Sequence, residues 1–231
     1  MELVDIKYDK LLESSPEYNN NSNLATFTFL AKQIPWKQSF NSSAKTFIHP
    51  ENGIAYTGYT AGGWEMSDIR KWSNENLLNL LEEKNIGLNS AIKEVEKVSD
   101  IGMPEVVNDF KDENGQTVEF KQMTNITYDK IWLPSTTELG VSDSSYIWNT
   151  TDEQSTKVER DNEGNLVYIP YTWISTDETR VKKLNDSPDY YYTRTHKPGY
   201  TWRFIRISPS GLVDYNITAT ESSGYVFGFC I

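Results

Sequence analysis

Residues 189–231, DYYYTRTHKPGYTWRFIRISPSGLVDYNITATESSGYVFGFCI, contain three short runs rich in aromatic and β-branched residues. The runs are Tyr190–Thr195, Trp202–Ile207 and Tyr225–Ile231. Such residues suit a half-buried pleated surface, and turns rich in glycine, proline and serine separate the runs. The last run stays apolar up to Ile231, which is typical of a strand held in a sheet. We therefore expect the three runs to form a central sheet on which the earlier segments pack.

The best helical pattern lies in Met66–Glu83, where apolar residues recur at helical spacing. Ser67 is predicted as the N-cap, because its hydroxyl can accept a hydrogen bond from the first turn. Ser73 and Asn74 are expected to break the pattern into two helices, with a second cap there. Gly87 marks the predicted end of this helical region.

Several other segments have the composition of strands. Alternating apolar residues predict strands in Glu2–Tyr8 and Leu24–Ile34. Lys130–Ser135 is predicted as a short buried strand stopped by proline, and Val106–Asp129 as a hairpin. Trp36–Tyr59 is rich in Asn, Ser, Thr and Gly and is therefore expected to be a loop.

Composition limits the class of protein. The 231 residues carry a net charge of -11, and 13% of them are aromatic, which indicates a folded chain with a polar, aromatic surface. The negative charge argues against nucleic acid and against an anionic membrane surface, since both need clustered Lys and Arg. No signal peptide and no membrane-spanning run is visible. Without a repeat or a linker, we expect a single domain over residues 1–231, with residues 1–23 as a strand and loop extension.

Few residues have the pattern of a catalytic or metal site. His49 and His196 lie in loops near proline, and Cys230 lies in an apolar run where it is expected to be inert. The chain has no Gly-x-Ser-x-Gly and no zinc-ligand spacing. Asp112–Gly115 and Asp161–Gly164 resemble fragments of calcium loops without the closing Glu, so hairpin turns are favoured. We therefore predict no metal and no cofactor.

The aromatic residues offer a binding surface instead. Side chains of a strand alternate between its two faces, so the rings of residues 190–215 cannot all be buried. Rings mixed with Asn, Ser and Thr are typical of paratopes and of sugar-binding surfaces. The alternative is ordinary aromatic packing of the sheet. The predicted ligand-contacting residues are Tyr191, Tyr200, Trp202, Tyr215 and Trp148.

Ordered motifs connect the chain to a family. Gly62–Trp72 resembles a GGW-x-x-S-x-x-R-x-W segment, and Asp129–Ser135 resembles a D-K-(I/V)-(W/F)-L-(L/P)-S strand that is followed by Glu138 and Gly140. Asp189–Arg194, the Ser210-Gly211 turn and Gly224–Ile231 resemble the later motifs of the same family in the same order. That family is an uncharacterised domain common in phage minor structural and tail-associated proteins and in bacterial surface proteins.

The resemblance implies a fold but no catalytic residues. Its layout is similar to C-type-lectin-like folds, so we expect an α+β fold with early helices packed on a twisted antiparallel sheet that includes the C-terminal strand. The Glu-Pro-Asn ligand motif of calcium-dependent lectins is absent, and Trp148-Asn149-Thr150-Thr151-Asp152 is a broken form of their Trp-Asn-Asp motif.

These observations predict a non-enzymatic structural or adhesion protein of a phage virion, in a tail or a head or tail fibre, assembled in the bacterial cytoplasm. Its partners are expected to be host cell-surface glycan or other virion proteins. A homotrimer is expected, because the fibre and tail proteins that this chain resembles are often homotrimeric. One alternative is a bacterial surface carbohydrate-binding domain. A less favoured alternative is a glycan hydrolase that uses a carboxylate pair such as Glu82-Glu83, Asp112-Glu113 or Asp177-Glu178, since acidic residues are usually solvated surface.

Overall fold

The structure is a computed structural model, and it describes residues 1–6, 9–15, 18, 23–48, 50, 53, 55–84, 87–101, 124–141, 177–197 and 200–231. In this described part, the strands form five small sheets, and short helical segments lie between the early strands and the later ones. One cluster of buried apolar side chains extends from Val4 near the start of the chain to Cys230 near its end. No helix among the described residues is long and apolar enough to cross a membrane.

The largest sheet has five strands, and most of it comes from residues 189–231. Across the sheet the strands are β12 (Val213–Asp214), β11 (Phe204–Ile207), β10 (Tyr191–His196), β13 (Ser222–Gly224) and β3 (Lys37–Ser39). Neighbouring strands are antiparallel except β10 and β13, which are parallel. Strand β10 lies at the centre and every one of its residues is buried.

A second sheet joins the two ends of the chain. Its strands, in order, are β1 (Glu2–Ile6), β2 (Phe27–Leu30) and β14 (Gly228–Cys230). Both outer strands run antiparallel to β2. The strands predicted near the start of the chain and within Leu24–Ile34 are therefore confirmed, and the second, β2, is shorter than the sequence suggested.

The remaining sheets are two-stranded ribbons. They are β4 (Lys45–Ile48) with β5 (Ala55–Gly58), β6 (Val95–Asp100) with β7 (Thr124–Asp129), and β8 (Lys182–Leu184) with β9 (Ser187–Asp189). The expectation that Trp36–Tyr59 is loop is wrong, because β3, β4 and β5 all lie there. These strands are three or four residues long and half exposed, so they lack the long apolar alternation from which strands are predicted.

The predicted helix is present but continuous. It comprises α1 (Asp68–Trp72), a π-helical turn at Ser73–Leu77 and α2 (Leu78–Lys84), and a short α3 (Leu88–Ala91) follows. Ser67 is confirmed as the N-cap, since its Oγ accepts from the N–H of Arg70 at 3.2 Å. The expected break with a second cap at Ser73 is wrong. The Ser73 hydroxyl instead bonds the Ile69 carbonyl and the Tyr225 hydroxyl, at 2.5 and 2.6 Å, which fixes a widened turn within the helix.

The expected α+β, C-type-lectin-like arrangement is also wrong, because the described chain consists mostly of small β-sheets and its helices do not pack on a twisted sheet. The three runs of residues 189–231 do not form one sheet, because the chain leaves the five-stranded sheet at Tyr225. Its N–H donates to the Trp36 carbonyl at 3.0 Å, outside any strand, and the following residues pair with β2 in another sheet. The helix packs on these connecting residues. The Trp72 ring lies edge-on to Trp36 and to Tyr225, with centroids 5.3 and 5.9 Å apart.

Close packing of glycine against tryptophan positions the last strand. A Cβ added at Gly228 would lie 2.2 Å from the ring of Trp132. The backbones of the same two residues exchange hydrogen bonds of 2.8 and 3.2 Å. Trp132 and Gly228 thus form an isolated bridge. Residues 131–135 are buried as predicted, but Lys130–Ser135 is not a strand of any sheet.

Candidate functional site

Three of the predicted ligand-contacting rings meet at the end of the five-stranded sheet. Tyr200 and Trp202 lie edge-to-face, with ring centroids 5.4 Å apart. Lys197 connects them to Tyr215, since its Nζ lies 4.2 Å from the Tyr215 centroid and 5.8 Å from the Tyr200 centroid. The Arg203 guanidinium carbon lies 5.0 Å from the Tyr200 centroid. We call these five residues the ring-and-cation surface.

Backbone hydrogen bonds hold the loop that carries this surface. The N–H of Lys197 donates to the Arg203 carbonyl at 2.9 Å and closes the loop. Thr60 binds it from the side, with its N–H 3.0 Å from the Thr201 carbonyl and its Oγ1 3.2 Å from the Tyr200 carbonyl. The N–H of Ala219 donates to the Trp202 carbonyl at 2.9 Å. These bonds anchor the backbone that carries Tyr200, Trp202 and Arg203.

The surface is open to solvent. Trp202 is 42% exposed, and Tyr200 and Tyr215 are half-buried. Burial, together with the neighbouring Arg203 guanidinium, lowers the pKa of Lys197 below its ordinary value. Both cations thus lie within 5.8 Å of the Tyr200 centroid, beside the exposed Trp202, an arrangement that can stack a planar ligand face and also bind a negatively charged group.

Tyr191, the fourth predicted contact residue, lies elsewhere. It is fully buried, and its hydroxyl donates to the Arg180 carbonyl at 2.7 Å. The prediction assumed a strand with one solvated face. Strand β10 is central and covered on both faces, so its side chains do not alternate between core and solvent. The fifth residue, Trp148, lies outside the described residues.

Lys197 and Arg203 were not predicted as part of the site. The sequence pattern that could have predicted them is the alternation of basic and aromatic residues in Lys197–Arg206. Cations adjacent to Tyr and Trp in a turn can stack on the rings. Their number is small and the chain as a whole is acidic, so the charge pattern did not single them out.

A buried ion cluster lies in the core instead of at the surface. Its charged members, each at most 4% exposed, are Asp9, Lys97, Glu138 and Arg194. The Lys97 Nζ pairs with Asp9 and with Glu138, and Arg194 pairs with both carboxylate oxygens of Glu138. Burial alone would raise the pKa of Glu138, but the Arg194 and Lys97 charges outweigh it and lower that pKa to about 2. The cluster is balanced in charge and closed to solvent.

A second polar cluster surrounds Asp129. Its carboxylate accepts from Trp64 Nε1 at 2.9 Å, from Arg70 Nε at 2.7 Å and from Asn74 Nδ2 at 3.2 Å. The Asn74 Oδ1 in turn accepts from the N–H groups of Lys130 and Ile131. These contacts join the helical segment to the end of β7.

The two clusters join charged residues of different sequence motifs. Trp64 and Arg70 of the first motif donate to Asp129 of the second, and Glu138 accepts from Arg194 of the third. Residues that satisfy one another in the core maintain the fold. The motifs therefore describe the fold of this chain, whereas the ring-and-cation surface lies between them.

The one cysteine and the described histidine lie in the core. Cys230 is buried, and burial together with the Asp9 carboxylate raises the pKa of its thiol well above the ordinary value. It is therefore kept as a thiol, hydrogen-bonded near Thr28 and Asp9. His196 is buried in β10, and His49 lies outside the described residues.

The acidic pairs have local roles where they are described. The Glu82 carboxylate accepts from the N–H groups of Gly87 and Asn89, and these bonds lower its pKa. Asp177 pairs with Arg180. Asp112-Glu113 and the possible calcium loop at Asp161–Gly164 lie outside the described residues, and no group of three potential metal ligands occurs among those that are described.

A family model matches residues 37–226, which span β3 to the residues before β14 and include the ring-and-cation surface. The chain belongs to the DUF6273 family. The family is described as a domain of unknown function, so membership brings no activity with it. No curated protein and no solved structure matches the chain.

Proposed function

We propose that this chain is a non-enzymatic adhesion protein that binds host cell-surface glycan through the ring-and-cation surface. The observation that carries the proposal is the convergence of Tyr200, Trp202 and Tyr215, with both cations, on one exposed loop surface. Exposed rings held in place are the contact residues that need the least ordering when a ligand binds.

Glycan suits this surface better than a flat protein partner. A sugar presents an apolar face of C–H groups and a polar edge of hydroxyls, which matches an exposed indole flanked by phenols and cationic donors. The backbone bonds from Thr60 and Ala219 fix the loop before binding, so little conformational entropy is lost. The non-enzymatic part of the proposal is supported by the burial of His196 and Cys230, because a ligand on the exposed rings does not reach a buried side chain.

The test is glycan binding by single-residue variants. We expect Trp202→Ala to weaken retention on cell-wall glycans, or on a glycan array, about tenfold or more, because stacking on an exposed ring contributes about 1 kcal/mol beyond the contact area. Tyr200→Ala should have a smaller effect in the same direction. Leu80→Ala is the matched control, since Leu80 on α2 is 47% exposed and should leave binding unchanged.

One result of this test would contradict the proposal. If wild type and Trp202→Ala are retained alike on every glycan tested, with melting temperatures that agree, the surface does not bind sugar. Hydrolysis of the bound glycan into shorter products by the wild-type chain would remove the non-enzymatic part alone.

The setting of the protein is proposed from the sequence resemblance. We place it in the tail or a fibre of a phage virion, as a homotrimer in contact with other virion proteins. Mass spectrometry of particles released by the encoding strain should detect the chain. Light scattering of the purified chain should give three times the 26.6 kDa of one copy. A monomer in solution would contradict the proposed homotrimer. Particles without the chain would contradict its proposed place in the virion.

A further inference from the structure

We infer that copies of this chain associate with one another through the outer face of the sheet that joins the two ends of the chain. This inference rests on the self-association in the proposed function and adds the surface through which the copies meet. We call that surface the terminal-sheet face and define it by five apolar residues, Leu3, Ile6, Phe27, Phe29 and Ile231.

Strand pairing places these five side chains on one side of the sheet. Leu3 lies opposite Phe29 and Ile6 opposite Phe27, because a register shift between Leu3 and Asp5 adds one residue to β1. Phe27 and Ile231 exchange two backbone hydrogen bonds of 3.0 Å, so they also lie opposite each other. Phe27 and Phe29 are two residues apart in β2, and their ring centroids are 6.4 Å apart. The face is therefore one continuous apolar surface across all three strands.

The two faces of this sheet differ in exposure but not in polarity. The inner face packs into the core with fully buried side chains, among them Thr28, Leu30 and Cys230. On the outer face Leu3 is 45% exposed, Ile6 52% and Phe27 37%. A sheet face that stays in water normally carries polar side chains. The apolar outer face thus has the composition of a surface that is covered in the working protein.

The terminal-sheet face carries no charge among the described residues. The acidic residues of β1 belong to the inner side, since Glu2 lies opposite Leu30 and Asp5 lies opposite Thr28. Strands β2 and β14 contain no charged residue. Five hydrocarbon side chains offer neither the hydrogen bonds that orient a sugar nor the charges that select a basic or acidic partner. The surface therefore suits a partner that is itself apolar.

A second copy of the chain is such a partner. Each copy carries a net charge of -11, so two copies repel each other over most of their surface and approach most readily where a face is uncharged. An apolar sheet face is complementary to an identical face, because two sheets pack about 10 Å apart with interdigitating side chains. Closed symmetric oligomers use the same patch on every copy. A two-fold axis would pair two such faces, and a three-fold axis would bring three together.

The exposed area is that of an interface core. A large apolar side chain offers roughly 150–200 Å² for burial, so the exposed parts of the five residues amount to roughly 300 Å² per copy. A stable interface buries about 800 Å² per partner, about 60% of it apolar. The terminal-sheet face supplies more than half of that apolar area. Association should therefore be reversible, with a dissociation constant of about 1–100 μM.

The experiment measures the mass of the full chain by light scattering at concentrations from about 1 to 500 μM. Leu3→Glu/Ile6→Glu places two negative charges on the terminal-sheet face. Ile48→Glu/Ile126→Glu is the matched control, because these residues are 63% and 49% exposed on β4 and β7 and the change in charge is the same.

We expect the mass of wild type to rise with concentration from 26.6 kDa to a multiple of it. Raising NaCl from about 0.05 to 0.5 M should strengthen the association, since salt screens the repulsion between acidic copies. The face variant should stay a monomer or need at least about tenfold more protein to associate, whereas the control should resemble wild type. If the face variant does not melt like wild type, Ile6→Thr replaces it and should weaken association severalfold relative to Ile48→Thr, because Thr keeps the β-branched shape that suits a strand.

Three outcomes overturn the inference. The first is a wild type that remains at 26.6 kDa at every concentration. The second is association that the face variant retains, or that the control loses equally. The third is a monomeric wild type that binds phosphatidylcholine vesicles through this face, which would assign it to a lipid surface.

The same data separate this inference from the proposed function. A mass of two copies that the face variant loses supports the terminal-sheet face and contradicts the proposed homotrimer. A monomeric wild type whose glycan binding depends on Trp202 overturns this inference and leaves the proposed adhesion standing.

Discussion

Replacing Glu138 with Gln removes one charge from the buried ion cluster. The carboxylate accepts from the Ser135 N–H at 2.8 Å, from Lys97 Nζ at 3.0 Å and from both terminal nitrogens of Arg194. An amide keeps one acceptor oxygen and places an NH2 group against donors at the other position. It also leaves two buried cations with Asp9 as their remaining carboxylate partner in the cluster.

The magnitude follows from the pKa. Folding lowers the Glu138 pKa from 4.5 to about 2. At about 1.4 kcal/mol per pKa unit, the ionised carboxylate contributes about 3 kcal/mol to the free energy of unfolding. Because the folded pKa is the lower one, this contribution is complete above pH 4.5 and is lost as the pH falls towards 2. Removing one partner of a buried ion pair costs about 3–5 kcal/mol, so Glu138→Gln should lose that amount at neutral pH.

Urea unfolding followed by circular dichroism, repeated across this pH range, measures both quantities. Wild type should lose stability between pH 4.5 and 2, and Glu138→Gln should start lower and lose less over the same interval. Glu83→Gln, at an exposed position, is the control and should resemble wild type. A Glu138→Gln chain within about 1 kcal/mol of wild type at neutral pH, with the same pH dependence, would falsify the cluster as a source of stability.

Three further predictions concern the core. Asp129→Asn should destabilise the chain by about 2–4 kcal/mol in urea unfolding, because Arg70 loses its ion-pair partner; no change in the unfolding midpoint would contradict this. Gly228→Ala should lower the melting temperature by roughly 10 °C or prevent soluble expression, since the new Cβ would overlap the Trp132 ring, and a normal melting curve would show that the last strand can shift. Cys230 should react with a thiol reagent only slowly in the native protein and fully in denaturant, because it is buried and its pKa is raised; rapid native labelling would show that β14 opens readily.

The sequence was informative where a local rule decides the structure. Ser67 was identified as a helix cap from its position alone, and β10 and β11 were identified from their aromatic and β-branched residues. The sequence was less informative where pairing is long-range. Whether residues 228–230 join β11 or β2 depends on Tyr225 turning towards Trp36, and that contact joins segments far apart in the chain.

The candidate site was predictable in part for the same reason. Tyr200, Trp202 and Tyr215 lie in loops, where exposure follows from local turn residues. Tyr191 lies in a strand, and its burial depends on how many neighbours that strand acquires, which the local pattern does not specify. Lys197 and Arg203 become significant only once the loop closes and brings them over the rings.

The sheet that joins the two ends of the chain has a mechanical consequence. Strands β1 and β14 lie on either side of β2 and both run antiparallel to it, so they are parallel to each other. Glu2 pairs at the Leu30 end of β2, whereas Cys230 pairs at the Thr28 end. Tension applied through residues 1 and 231 therefore pulls along the strands and loads the ladder hydrogen bonds in shear, all at once, instead of opening them one after another. A domain built in this way resists being pulled apart when one end is anchored and the other carries load.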